Sequence, residues 1–567
     1  MPRQPDLSAY AGYWVALVRD RVAGVGRTRD EAYQAAKSAR RREEPQVVYV
    51  PNPTRDDGCP DVPPARVADS RGPYDATPGA IRRVAEAIGQ REATAFLVGG
   101  TVRDFLLGRA VHDVDIVVPG DALGLGRWLA DALGGAFYPL DEQRDVARVL
   151  FSWQGESFSA DVAALRGPSL DADLRARDFT INAMAMPLGD LRREAIVDPL
   201  GGLADLAAGV LRPVSDVAFR DDPVRTLRAV RFVHELRLKA APGLEGAIAA
   251  DAPLLAGVAA ERVRDEMNRM AALPDFGACL RDMERLGLLD IVLPELAGLR
   301  GLAQPRPHVW DGLEHSLRTV EAAEGLAAAL LGDAEGGPWG DFVATLGPLR
   351  AQVADYLAFC VAAGESRLVL LKLAAALHDV GKVATRTEEK GRVRFFGHPQ
   401  VGAEMAAQAL ARLRYSAVAV AMVSGVVREH MWLLSLVRTR QVTNRALYRF
   451  HRAVGDGTVA TALLFLADLF ATQPVEDDPS WPAAQVIVRR VLHACLCEPH
   501  VVSPRPVVDG RELMAALQLS EGPLIGVLLD AIREAQAEGK VTTREEALAL
   551  AARVVRGRQK VGRDGDR

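Results

Sequence analysis

The sequence predicts an α+β protein with three parts. A small N-terminal α/β unit comes first, then a small α/β head, then a long all-α body. Three observations predict it. Residues 10–51 read as two short strands, a helix and a returning strand. Residues 79–200 alternate helix and strand, as a small α/β domain does. From about residue 201 the pattern turns helical and stays so to about residue 500. A chain of 567 residues exceeds a single core, and roughly three to five domains are expected. The divisions expected are 1–75, 79–205, 206–300, 301–500 and 503–567.

In the first unit, YWVALV and VAGVG read as strands. RTRDEAYQAAKSARR reads as a helix with Thr28 as its N-cap, and QVVYVP returns as a strand. This unit suits a docking module or a structural appendage equally. Asn52 to Ala76 is rich in Pro and Asp and reads as a linker. In the body, the Ala/Gly-rich stretch from Ala322 to Gly340 reads as an insertion or mobile loop. Residues 503–556 read as helices with a turn at Gly522-Pro523, and the tail GRQKVGRDGDR as disordered.

Composition is that of a globular protein, 49% apolar and 25% charged. No uninterrupted apolar run reaches the roughly 20 residues that span a bilayer. The start, MPRQPDLSAYAGYW, lacks the basic-then-apolar order of a secretory signal, so a cytoplasmic location and no membrane partner are expected. The five cysteines, Cys59, Cys279, Cys360, Cys495 and Cys497, have no framework spacing and read as reduced thiols. Cys495 and Cys497 are expected in the packed face of a helix. A net charge of −5 does not advertise nucleic-acid binding, but local basic clusters matter more than the sum. Such clusters run from Arg225 to Arg237, at Arg262 and Arg264, and from Arg553 onward.

FLVGGTVRDFLLGRAVHDVDIVVPG is the most informative stretch. FLV reads as a strand. Gly99-Gly100 lets backbone approach a ligand, and TVRDFLLG opens a helix whose N–H groups can receive a phosphate beside the Arg103 fork. VDIVV returns as a strand. Asp113 and Asp115 are two apart on it, so both carboxylates project from one face. Paired carboxylates suit Mg²⁺, and a two-metal site would activate a 3′-hydroxyl and steady a leaving pyrophosphate.

Together, G-G-x-V-R-D and D-x-D resemble the polymerase-beta-type superfamily, and more narrowly the bacterial tRNA CCA-adding enzymes and poly(A) polymerases. The resemblance covers roughly residues 80–555. It implies a small mixed-sheet nucleotidyltransferase head, with Gly99, Gly100, Arg103 and Asp104 in the nucleotide loop. LRARDFTINAMAM resembles the family's R-R-D-F-T motif, with Ala176 replacing its first arginine. It implies nucleotide contacts from Arg177, Asp178 and Asn182. Asp161 aligns with a strand acidic position, as a third carboxylate or a solvated charge. DDPVRTLRAVRFVHEL resembles the family's E-D-x-x-R motif. There Asp222 and Arg225, three apart and so on one helix face, would imitate a pairing base edge and select CTP and ATP. Arg228 and Arg231 continue that face toward the triphosphate. Between Arg166 and Arg177 the chain is shorter than in CCA-adding relatives. That shortness resembles enzymes that add only CC.

LKLAAALHDVGKV places His378-Asp379 on an apolar helix. With His315 before it and Asp468 after it, this resembles the H…HD…D pattern of the HD phosphohydrolase superfamily. His398 and His430 are further candidate ligands, and such a set can hold two divalent metals, transition ions included. The resemblance leaves two roles open: a working phosphohydrolase, or a remnant that positions tRNA. The C-terminal GPLIG reads as a helix–turn that touches RNA phosphate, or as a plain helical hairpin.

The implied activity is template-independent addition of C, with or without A, to the 3′ end of tRNA from CTP and ATP. Two alternatives stand beside it. One is a poly(A) polymerase using ATP alone. The other is an HD phosphohydrolase with an RNA-binding head. Oligomeric state is not readable from the sequence.

Overall fold

The computed structural model describes residues 79–332, 336–439, 441–474 and 478–564, with side chains to residue 556, and the backbone of three N-terminal strands. Those strands, β1 (Trp14–Val18), β2 (Arg21–Gly26) and β3 (Gln46–Tyr49), form an antiparallel sheet in the order β2-β1-β3. The helix capped by Thr28, the 52–76 linker and Cys59 lie outside the described residues. The chain divides into two compact units. One is Met1–Glu266 with Arg285–Ile291, and the other is Met267–Glu284 with Val292–Arg567.

The first unit holds the head. Its elements are α1 (Gly79–Gln90), β4 (Phe96–Val98), α2 (Gly100–Leu106), β5 (Asp113–Val118), α3 (Ala122–Leu133), β6 (Ala136–Asp141), β7 (Val146–Trp153), β8 (Glu156–Ala164), α4 (Leu170–Arg175) and β9 (Ala185–Pro187). Six strands form one mixed sheet in the order β6-β7-β8-β5-β4-β9. Only β5 and β8 run parallel, with Asp115 directly beside Asp161. On β5, Val114, Ile116 and Val118 are buried on one face, which turns Asp113 and Asp115 to the other. Beyond the sheet lie α5 (Gly202–Ala208), α6 (Ala218–Asp221) and α7 (Arg225–Glu235).

The second unit is helical apart from two small hairpins. The stretch expected as an insertion is instead helical from Ala322 to Leu331 and again from Gly337, with 333–335 outside the described residues. Gly312–Leu331 is one continuous helix, and Ala322, Ala323, Leu326, Ala327, Ala329 and Leu330 are buried in it. Alanine is the best helix former and permits close packing, so an Ala-rich run is no sign of a loop here. The helical stretches Ala417–Thr439 and Asn444–Thr472 are long and apolar enough to cross a membrane by length and composition alone, although charged residues interrupt them. In their most apolar windows, 44% and 61% of the residues are buried inside the structure. Cys497 is exposed at the end of the helix Trp481–Cys497, and Cys495 is half-buried. Two residues apart on a helix, they cannot share one packed face.

The C-terminal helices Gly510–Leu517, Pro523–Ala537 and Arg544–Asp564 enclose a core that includes Leu513, Leu528, Ile532, Ala547 and Ala551. Asp509 and Glu512 form a capping box on the first, and Pro523 opens the second. The third helix runs to Asp564, through most of the tail expected to be disordered.

Candidate active site and metal centre

Gly99 has φ +66°, a conformation that L side chains rarely adopt. A Cβ there would lie 3.0 Å from Arg177 Nη1 and 3.5 Å from Asp115 Oδ2. The Gly-Gly turn therefore clears space where a carboxylate and an arginine face each other. Thr101 ties this turn to the strand: its hydroxyl donates to the Asp113 carbonyl (3.2 Å) and accepts from the Asp115 N–H (2.7 Å). Asp113 is exposed and accepts from the Ser159 hydroxyl. Burial pushes the Asp115 carboxyl up to about 6, helped by Asp161 and Asp113 and opposed by Arg177 and Arg103. Crowded carboxylates with too few cations fit a divalent ion, whose charge would offset both causes. Asp161 differs from this pair. Arg148 holds both its oxygens at 2.7 Å.

The R-D-F-T segment is built around two buried aspartates. Asp173 accepts from the Arg166 backbone N–H (3.0 Å) with one oxygen and from Arg177 Nε and Nη2 (3.0 and 2.8 Å) with the other. Asp178 accepts from the Phe179 N–H, from Asn182 and from Arg228. Burial disfavours its charge, but Arg228, Asn182, the Phe179 N–H and Arg225 hold its carboxyl below the usual range. Arg103 is buried and fully engaged, with two bonds to Asp104 and one to Asn182 (2.7 Å). Gly100, Arg103, Asp104 and Asn182 thus form a packed support beneath the loop.

A pocket of about 200 Å³ opens beside this segment, lined by Arg166, Arg177, Asp178, Asp222, Arg225, Arg228 and Arg262. Two expectations change here. Asp222 and Arg225 do not share a helix face: Asp222 is extended (φ −151°, ψ 94°) between α6 and α7. The following Pro223 disfavours helical backbone at Asp222, so the chain breaks there. Its carboxylate takes Arg262 at 2.7 Å, whereas Arg225 stands 4.0 Å away. Arg225 itself donates to the carbonyls of Ala218 and Ala176. Arg231 does not line the pocket. It is buried, paired with Glu266 (2.7 Å) and Glu235, and lies over the Phe232 ring. At about 100° per residue, six steps from Arg225 leave Arg231 roughly 120° round the helix from it, off the pocket face. Arg166 and Arg262 also line the pocket, which joins segments distant in sequence and so is not legible from local spacing.

In the second unit, six expected ligands converge from five segments. His315 lies on Gly312–Leu331, His378 and Asp379 follow Arg367–Leu377, His398 starts His398–Arg412, His430 follows Ala417–Glu429, and Asp468 lies on Thr458–Thr472. His315 Nε2 is 3.0 Å from Asp468 Oδ1 and 3.6 Å from Asp379 Oδ2. His378 Nε2 is 3.2 Å from Asp379 Oδ2 and 3.6 Å from Asp468 Oδ1. The other oxygen of Asp379 faces His398 Nε2 (3.4 Å) and His430 Nε2 (3.9 Å). The Asp379 carboxylate therefore stands between two sets, one oxygen toward each.

The tautomers are set from behind. Nδ1 of His378, His398 and His430 meets the carbonyls of Ala375, Phe395 and Val427 at 2.8, 2.9 and 2.7 Å. Donation there leaves each Nε2 a lone pair. His378 Nε2 and both ring nitrogens of His315 are buried with no hydrogen bond, while Asp379 Oδ2 has only the Lys382 ammonium beside it (2.5 Å). Orphaned buried donors of this kind fit metal ions that complete them. Gly381 explains the rest of the HDVGK segment: a Cβ there would lie 2.1 Å from the His398 carbonyl. Only glycine lets this turn pack against the start of the next ligand helix.

Family models match four stretches. The poly A polymerase head domain matches residues 95–212, and the probable RNA and SrmB-binding site of polymerase A matches 238–299. The HD domain matches 312–448, and a family of unknown function matches 6–53. An A-adding tRNA nucleotidyltransferase of Deinococcus radiodurans is 38% identical over 81% of this chain and 95% of its own. The chain belongs to the tRNA nucleotidyltransferase family. It is thus an enzyme, of a class that uses divalent metals. A CC-adding member from Thermus thermophilus is 36% identical over 80% of this chain and 92% of its own. Among solved structures, a CCA-adding enzyme in complex with ATP shares the fold, with a TM-score of 0.55 and 19% identity over 84% of this chain and 95% of that one.

Proposed function

We propose that this nucleotidyltransferase extends the 3′ end of tRNA with cytidylates from CTP and stops before the terminal A. The observation that carries this reading is the connection from Arg166 to Arg177. It is a short helix, α4, capped by Ser169 and pinned at both ends by the single buried carboxylate of Asp173. By resemblance, CCA-adding enzymes carry a sizeable flexible loop here that helps switch the site from C to A. The pinned helix has no slack for such a loop.

Asp113 and Asp115 would hold Mg²⁺, which when bound polarises the nucleotide phosphate and the attacking 3′-hydroxyl. Asp161, clamped by Arg148, acts on the pair through its charge. Arg177 spans the carboxylates and the pocket, and with Arg166 and Arg228 it offers forks to the triphosphate. Arg262 occupies Asp222 Oδ2, so Oδ1 can accept from the exocyclic amino group that cytosine and adenine share. Arg225, with both terminal nitrogens bonded to carbonyls, keeps its Nε for a ring acceptor. Gly100, Arg103, Asp104 and Asn182 position these groups. Arg231 is structural. The HD centre would act as a metal-dependent phosphohydrolase. Both activities belong where tRNA is matured, in the cytoplasm.

A second reading has its own observation: the Deinococcus relative adds A. One experiment separates them. The protein is given tRNAs lacking CCA, CA or A, with CTP or ATP supplied singly. Addition of CC without A supports the first reading, and A addition to tRNA ending in CC supports the second. Unlimited ATP incorporation on unrelated RNAs would overturn both.

A further inference from the structure

The loop 304–311 leads into the helix that carries His315, and it is fastened to both carboxylate ligands of the HD centre. Gln304 accepts from Lys382 Nζ (2.5 Å) and donates to the carbonyls of Trp310 and Asp311 (3.5 and 3.3 Å). Lys382 in turn pairs with Asp379 at 2.5 Å. The Val309 N–H donates to the Thr472 carbonyl (3.4 Å), and the Thr472 hydroxyl donates to the Asp468 carbonyl (2.9 Å). His308 is held between these anchors. Its ring stands edge-on to His315, with centroids 4.9 Å apart. Its Nδ1 lies 3.2 Å from the Pro305 carbonyl, so donation there leaves Nε2 a lone pair, as at the other ligand histidines. A ligating atom of His308 lies within 4.8 Å of those of His315 and Asp379, the separation that one ion can bridge. The H…HD…D pattern does not include this residue.

We propose that His308 is a fifth protein ligand of the metal position formed by His315, His378, Asp379 and Asp468. This rests on the reading that the HD centre is metal-dependent. Three imidazoles beside two carboxylates select a transition ion over Mg²⁺, because imidazole nitrogen is a softer donor than the oxygen that Mg²⁺ prefers. The neighbouring position has three protein ligands, Asp379, His398 and His430. It keeps open coordination for water or substrate phosphate, as catalytic sites do. The centre is therefore asymmetric, with one tightly held ion and one exchangeable ion.

The test uses the full chain, stripped with chelator and titrated with Co²⁺, with metal content and the visible spectrum as readouts. The wild type should retain one Co²⁺ through gel filtration and bind a second reversibly. His308→Ala should weaken the retained ion roughly 10–100-fold and change its visible band. His398→Ala should spare it. CTP incorporation by the head reports folding of each variant. A wild type that binds no Co²⁺ defeats the metal reading itself. A His308→Ala protein with unchanged affinity and spectrum overturns the proposal alone. Should that variant misfold, X-ray absorption of wild type carrying one equivalent of Zn²⁺ decides: three imidazole ligands are expected, and two would overturn it.

Discussion

The two polar centres of this chain are built on opposite plans. In the head, three of the five arginines lining the pocket are already matched: Asp173 takes Arg177, Asp178 takes Arg228 and Asp222 takes Arg262. A ligand entering there would have to exchange partners with these pairs. In the HD centre the reverse holds. Ring nitrogens of His315 and His378 are buried without a hydrogen bond, although Lys382 pairs with Asp379. Such atoms cost free energy when left bare, and ions bound there would complete them. One centre holds its charge in salt bridges, and the other presents unbonded ring nitrogens that would suit a metal ion.

The largest expected effect would break the comparison outright. Asp115→Ala should remove about three orders of magnitude or more of CTP incorporation, because the metal contributes several kcal/mol to the transition state. Retained transfer would mean that the carboxylate pair is not the metal site. Next, His378→Ala should abolish phosphatase activity and the bound metal of the second centre while CTP incorporation persists. Loss of both activities together would show that the centres are not separable.

Arg228 and Arg231 sharpen the contrast within one helix. Arg228→Ala leaves Asp178 buried and short of its cation, costing roughly 3 kcal/mol and raising KM for CTP. Arg231→Ala should destabilise comparably by uncovering Glu266, yet leave KM within about twofold, since Arg231 is off the pocket. A denaturation midpoint and a KM for each variant decide this. The smallest effect is at Gly99. Gly99→Ala should cost about 1–2 kcal/mol for its left-handed backbone. Its loss of kcat should exceed that, because the new methyl meets Arg177 at 3.0 Å.

Much of both sites was legible because the relevant geometry is local. Strand alternation brings Asp113 and Asp115 together whatever the fold, and the apolar run around His378-Asp379 announces a buried pair. Local rules failed where a single residue reset the backbone. Pro223 ended the helix that would have joined Asp222 to Arg225, and alanines from 322 onward packed instead of looping out. They also could not say which face an arginine turns to, as Arg231 shows.

The sequence by itself thus determined the head-then-helices architecture and the placement of Asp113 and Asp115 two apart on one strand, since these depend on local periodicity, and it offered the H…HD…D residues through a resemblance. Only the tertiary structure decided the partners: Arg262 on Asp222 across 40 residues, Arg228 on Asp178 across 50, and the two oxygens of Asp379 shared between two histidine sets. It alone brought His308 beside His315 and Asp379. Pairings between distant segments are set by how helices and strands pack, and no local periodicity encodes that.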